Sequence, residues 1–379
     1  MNRIYTWLTA LTLSAAVPAF GQTTNPPPPV PATDPDFPRG RISGLIFGDY
    51  YYNVAGDPTH TYNATGSDAS FVNIDGSTFP SGQPRVIGRD LNGTQIRRVY
   101  FQLDNDLSIK VSSRFRLEAD NKELTSGGKM GVFVKAAYVQ VKDLIPRGNF
   151  LFGMVNTPTF ESSEEFWAYR AVEKTLTDFR GVASSSDVGV QLRGFVDDGH
   201  KIGYNALLGD GTGQRPEDNR YKRAYFSLPL RPLEDLRIEP YVDYEGFTGG
   251  NNRDRVTYKI FSGYEFRRAA VGAEVVDRIN HVQVGRNAEP FGFSVFGRMK
   301  AADKMGAFAR YDRWQPNTRA ANRIDQDLYI AGLDWEPYKD VHVMPNVEMA
   351  QYRARGTTTA PPHHDLQARV TFYWKFSKP

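Results

Sequence analysis

The chain has 379 residues, 40% of them hydrophobic and 13% aromatic, with 34 Gly, no Cys and a formal charge of +3. The absence of cysteine excludes a disulfide scaffold and thiolate metal sites. The near balance of charge offers no footing for nucleic acid, and no apolar run beyond the N-terminus is long enough for a membrane helix.

Residues 1–21 read as a secretory signal peptide. Arg3 supplies the positive start, Ile4 to Val17 the short apolar stretch, and Ala19-Phe20-Gly21 a small-x-small cleavage site. Its removal takes away the charge of Arg3 and leaves a net +2. Residues 22–38 follow as a Pro-rich leader, with Asn25 preceding four prolines. Such a segment cannot join a strand ladder, so an extended stretch on the periplasmic side is expected.

Residues 39–379 read as one all-β domain. The segment 109–120 sets Ile109, Val111, Phe115, Leu117 and Ala119 against Lys110, Ser112, Arg114, Arg116, Glu118 and Asp120. In 236–245, Leu236, Ile238, Val242 and Tyr244 oppose Arg237, Glu239, Tyr241, Asp243 and Glu245. In the last segment, Leu366, Ala368, Val370, Phe372, Trp374 and Phe376 oppose Gln367, Arg369, Thr371, Tyr373 and Lys375. This is period 2, the strand period, sustained long enough to cross a bilayer when tilted. About 16 such strands are expected. They fall near 41–54, 95–104, 109–121, 131–142, 149–156, 188–196, 200–208, 220–230, 236–247, 255–266, 269–278, 290–300, 305–315, 326–336, 341–353 and 363–376. Tight connections such as Asp197-Asp198-Gly199 and Arg267-Arg268 alternate with longer ones, the longest near 55–94 and 157–187. Short turns at one rim and long loops at the other favour a transmembrane barrel over a soluble sandwich. Pro229, Pro240 and Pro345 fall inside expected strands and should mark bulges or strand ends. Tyr50, Tyr51, Tyr52, Trp314, Trp335 and Tyr352 are candidates for interfacial aromatic girdles, and the aromatic run Phe372 to Phe376 closes the last strand much as in outer-membrane proteins, except that Ser377-Lys378-Pro379 follows where an aromatic usually comes last.

A bore of this size needs narrowing to discriminate among solutes. The third long connection, Pro158 to Asp187, is expected to fold into the lumen, with a short helix over 162–174 capped by Ser162 or Ser163. Its acids Glu161, Glu164, Glu165, Glu173 and Asp178 and its cations Arg170, Lys174 and Arg180 would face wall cations Arg98, Arg114, Arg116, Lys135 and Arg223. Opposed charges across a narrow pore impose a transverse field that favours polar solutes.

Ser186-Asp187-Val188-Gly189-Val190-Gln191-Leu192-Arg193-Gly194 and Tyr204-Asn205-Ala206-Leu207-Leu208-Gly209-Asp210-Gly211 resemble the middle of the phosphate-selective porin O and P family. Leu333-Asp334-Trp335-Glu336-Pro337, followed by Met344-Pro345-Asn346-Val347, resembles its penultimate hairpin. The resemblance covers residues 40–379 in arrangement and specific words only in patches. It implies a 16-stranded porin of the bacterial outer membrane, commonly a homotrimer, passing inorganic anions or other small hydrophilic solutes without a cofactor. Glu118, Asp120, Glu239, Asp243 and Glu245 share the polar phase with the arginines, so at most a modest anion preference is expected.

Two other classes remain open. A barrel hydrolase could use His363-His364-Asp365, whose i, i+2 spacing puts His363 and Asp365 on one strand face, although no nucleophile motif accompanies them. Two histidines and a carboxylate do not complete a metal shell, and the Gly-rich run 209–213 precedes no helix, so it reads as a turn and not a phosphate loop. A plugged adhesin would use its long loops instead.

Overall fold

The structure, a computed structural model, describes residues 37–56, 61–62, 85–86, 89–126, 128–246, 250–357 and 363–378. The expected signal peptide, nearly all of the leader and most of the first long connection lie outside the described residues.

Sixteen strands form one closed antiparallel sheet. They are β1 (Arg39–Ala55), β2 (Asn92–Asp106), β3 (Val111–Leu124), β4 (Met130–Ile145), β5 (Gly148–Asn156), β6 (Ser186–Phe195), β7 (Gly203–Gly209), β8 (Arg223–Ser227 and Leu230–Leu233), β9 (Leu236–Gly246), β10 (Asn252–Glu265), β11 (Ala269–Val282), β12 (Phe291–Ala302), β13 (Met305–Gln315), β14 (Arg323–Tyr338), β15 (Val341–Arg355) and β16 (Asp365–Lys378). Each strand pairs with its sequence neighbours, and β16 returns to β1 in a ladder from Ile42↔Lys378 to Ala55↔Leu366. Closure of an even number of strands leaves no sheet edge exposed.

Burial follows the expected alternation and inverts the order found in a soluble protein. On β9, Glu239, Tyr241 and Asp243 are buried while Val242 and Tyr244 are exposed; on β16, Asp365, Arg369 and Thr371 are buried while Val370 and Phe376 are exposed. Phe101, Val132, Phe152, Leu208, Ile260 and Val295 likewise point outward, each at least 44% exposed. The apolar faces do not meet one another, as they would in a sandwich. They form an exterior whose natural solvent is hydrocarbon.

The prolines sit where the ladder gives way. Pro229 falls at the break in β8. Pro240 keeps its register with Ile260 of β10 on one side and turns its missing N–H toward that same break, where the Leu228 amide donates to the Pro240 carbonyl at 3.0 Å. The β14–β15 register runs from Gly332↔Asn346 to Trp335↔Val343, skipping Pro345. The rims are less strictly sorted than the sequence suggests. Connections 125–129 and 247–251 belong to the long set yet have five residues each, because β3 and β10 extend into them. Three girdle candidates face the other way. Trp314 and Tyr352 are buried inward, the first against Leu176 and Val182, and Tyr51 shares the inward phase of its ladder partner Arg369, whereas Tyr50, Tyr52 and Trp335 are exposed outside.

Candidate functional site

The segment 157–185 between β5 and β6 carries two short helices, α1 (Glu161–Trp167) and α2 (Leu176–Phe179). The single helix expected over 162–174 is therefore replaced by a shorter one that starts earlier. Phe160, not a serine, occupies its N-cap, and Ala168 ends it in a left-handed conformation. Ser162 is turned away to the Glu239 carboxylate, and the Ser163 hydroxyl donates back to the Phe160 carbonyl at 3.1 Å. Both serines thus serve bonds other than the cap.

The segment's apolar residues Phe166, Trp167, Val172, Leu176 and Val182 are almost completely buried. They lie against the wall's polar-phase side, where β10, β11 and β12 offer glycines. A Cβ at Gly263 would meet the Phe166 ring at 2.6 Å, and one at Gly292 would meet Trp314 at 2.6 Å and Leu176 at 3.1 Å. The missing side chains form a trough for the segment. Phe166 packs edge-on to Phe261 at 5.5 Å, and Trp167 likewise to Phe296 at 5.4 Å.

Wall cations complete the attachment through the segment's backbone carbonyls. Arg97 donates to Val172 O at 3.0 Å and also to Ala171 O. Arg369 reaches Val172 O at 3.1 Å, Arg298 reaches Phe166 O at 3.2 Å, Arg310 reaches Lys174 O, and Lys259 reaches Thr159 O at 2.5 Å. Each of these cations also holds a wall carboxylate: Asp49, Glu348, Glu265, Asp312 and Glu239 respectively. A charge-assisted hydrogen bond is worth about 1.5–3 kcal/mol. Five such anchors on one segment make a fixture and not a flap.

The loop acids and the wall cations named from the sequence each have ion-pair or hydrogen-bond partners near at hand. Glu164 pairs with the segment's own Arg170 at 2.7 Å, and Arg170 also reaches Asp178 at 3.2 Å. Glu165 pairs with Arg237 at 3.0 Å, and Glu161 lies 3.8 Å from Arg193. Arg98 is held by Glu118 at 3.0 Å and Asp120 at 2.5 Å, and Arg223 by Asp243 at 2.8 Å. Arg114 binds Asp104 at 2.6 Å, and Lys135 binds Glu118 at 3.2 Å. Arg180 donates to Gln326 and lies over the Trp314 ring at 5.7 Å. Arg116 donates to Gln102 at 2.6 Å and meets no carboxylate among the described residues.

Arg97 escapes the sequence reading because of a bulge. The register steps from Phe47↔Arg98 to Gly48↔Ile96, so Arg97 is the extra residue and both it and Arg98 point inward. A second bulge leaves Lys135 between Leu117↔Val134 and Arg116↔Ala136.

Around Arg170 the titratable groups divide. Burial raises the Glu164 carboxyl to about 7, against the pull of Arg170. Burial would raise Asp178 too, but Lys174 and Arg170 hold it below the ordinary carboxylate range. The patches at 186–194 and 204–211 meet through Asp187, which accepts from the Gly211 amide at 2.8 Å, the Gly213 amide at 3.2 Å and the Tyr225 hydroxyl at 2.8 Å. On the same long-loop side of the barrel, the Tyr352 hydroxyl donates to buried Asp365 at 2.6 Å.

No protein-family model matches the chain, and no curated protein does. Solved structures do. The anion-selective porin from Comamonas acidovorans superposes with TM-score 0.63 at 10% identity, covering 89% of this chain and 100% of that one. The outer membrane channel DcaP of Acinetobacter baumannii gives 0.61 at 10% identity, covering 89% and 97%. OmpT of Vibrio cholerae, an outer membrane protein in a trimer form, gives 0.54 at 14% identity, covering 89% and 99%. At these identities the likeness is one of fold. It supports a porin-type barrel and stops short of the phosphate-selective family.

Proposed function

We propose that the chain is a channel of the bacterial outer membrane for passive diffusion of small hydrophilic solutes or ions, with segment 157–185 narrowing its lumen. The observation that carries this reading is the inverted burial, with charges turned inward and apolar side chains outward. The segment's anchors come from β2, β10, β12, β13 and β16, which supports its lying across one side of the bore. The side lined by Arg114 and Arg116 is left for passage. Residues 1–21 would direct export, residues 22–38 would lead into the barrel, and a homotrimer is the proposed assembly. Asp365 is occupied in bracing the wall through Tyr352, which favours a channel over a hydrolase. Liposome swelling with sugars of graded size tests the reading. Fast entry of monosaccharides and slow entry of tetrasaccharides is expected; equal exclusion of all sizes would refute it.

A pH effect follows from Glu164. As pH falls from 8 to 6 its carboxyl takes up a proton, so the segment loses negative charge. The reversal potential in a KCl gradient is expected to move toward anions over that range. Glu164→Gln should show the shifted value at both pH values, and a wild-type potential that stays flat would contradict the assignment.

A further inference from the structure

A recess of about 350 Å³ opens on the wall between β16, β1, β2 and β3, on the tight-turn side of the constricting segment. Strand register builds it in two rows. Ser377↔Ser43, Ser43↔Gln102 and Gln102↔Arg116 form one row, and Lys375↔Leu45 and Leu45↔Tyr100 form the next. The first row is polar, with Arg116, Gln102 and Ser43; the second is apolar at Leu45 and the face of Tyr100, and is flanked by Lys375 and its partner Asp340, which also line the recess. The Arg116 guanidinium lies 5.5 Å from the Tyr100 ring centroid, and Gln102 is its neighbour at 2.6 Å.

The local charge is uneven. Arg41 and Arg114 share the single carboxylate of Asp104 at 3.2 and 2.6 Å, and Lys375 pairs with Asp340 at 3.2 Å. With Arg116 added, four cations stand against two carboxylates. Glu118, in the second row, is already spent on Arg98 and Lys135. An anion would therefore be drawn to Arg116, the cation that meets no carboxylate among the described residues. An inorganic anion would leave the Leu45 and Tyr100 end unused. A solute with a carboxylate at one end and a planar apolar body would fill both.

We propose that this recess is a binding site for small organic carboxylates, passed on the way through the bore. The proposal rests on the channel reading and names a substrate class for it. Arg116 takes the carboxylate through its guanidinium, Gln102 holds that guanidinium in place, and Leu45 with the Tyr100 ring receives the apolar end. Placed below the constriction, the site lowers the chance that a solute which has passed it returns.

Benzoate is the probe, added to the wild-type barrel during single-channel recording in KCl, with acetate, phosphate and benzyl alcohol as comparisons. Saturable interruption of the current is expected from benzoate at lower concentration than from any of the three. Arg116→Gln should raise the half-blocking concentration about tenfold, the loss of one charge-assisted pair. Leu45→Thr should shrink the advantage of benzoate over acetate. Phosphate as effective as benzoate, benzyl alcohol as effective as benzoate, or an unaltered Arg116→Gln would each overturn the proposal. Calorimetric titration of the detergent-solubilised barrel with benzoate separates the two claims. Saturable binding without any current would keep the site and remove the channel, whereas current without benzoate binding would do the reverse.

Discussion

Excising residues 160–183 and closing the gap with a short Gly-Ser linker is expected to raise single-channel conductance several-fold. The fold supplies the reason. Sixteen strands enclose an aqueous bore wider than a small solute, and on the proposed reading the obstruction is a segment outside the ladder. Its removal leaves every strand pair intact. The wall cations that now hold Thr159, Phe166, Ala171, Val172 and Lys174 carbonyls keep their carboxylate partners, so none of these five buried or half-buried charges is stranded. The segment itself contains the acids Glu161, Glu164, Glu165, Glu173 and Asp178 against Arg170, Lys174 and Arg180. Its loss should therefore also move ion preference toward anions. Conductance that stays at the wild-type value would mean that the segment does not restrict the bore.

Ile260→Arg is expected to cost about 2–4 kcal/mol of barrel stability, the penalty of a cation facing the middle of the hydrocarbon. Ile260 lies near the centre of β10, 49% exposed on the apolar exterior, paired with Pro240 and Val275. A surface residue this exposed on a soluble protein would accept arginine within about 0.5 kcal/mol. Gln140→Arg on β4 supplies the comparison, since position 140 shares the inward phase of buried Ala136. Urea-titrated folding into phospholipid vesicles reads both. Equal stability of the two variants would show that the exterior does not face lipid.

What the sequence discloses and what it hides have separate physical origins. Alternation along β3, β9 and β16 is visible because one face must meet water and the other must not, so each residue type reports its side directly. The strand number and the place of the long third connection follow from that pattern. Arg97 is hidden because a bulge shifts the phase within β2, and the residues that flank it do not announce the extra position. The anchoring of segment 157–185 is hidden for a different reason. Arg97, Lys259, Arg298, Arg310 and Arg369 donate to carbonyls, which every residue possesses, so no side-chain type in the segment signals the partnership. The helix start is misjudged because Ser162 and Ser163 find better partners in Glu239 and the Phe160 carbonyl than in the helix amides. Trp314 and Tyr352 look like girdle residues by their nearness to strand ends, yet they serve the packing under the segment and the bracing of Asp365.

A water-filled path through the closed sheet underlies every property proposed above. Planar-bilayer recording on the purified, detergent-extracted chain probes it most directly. Discrete current steps proportional to voltage are the predicted result. A folded barrel that inserts into the bilayer and passes no current would contradict the account.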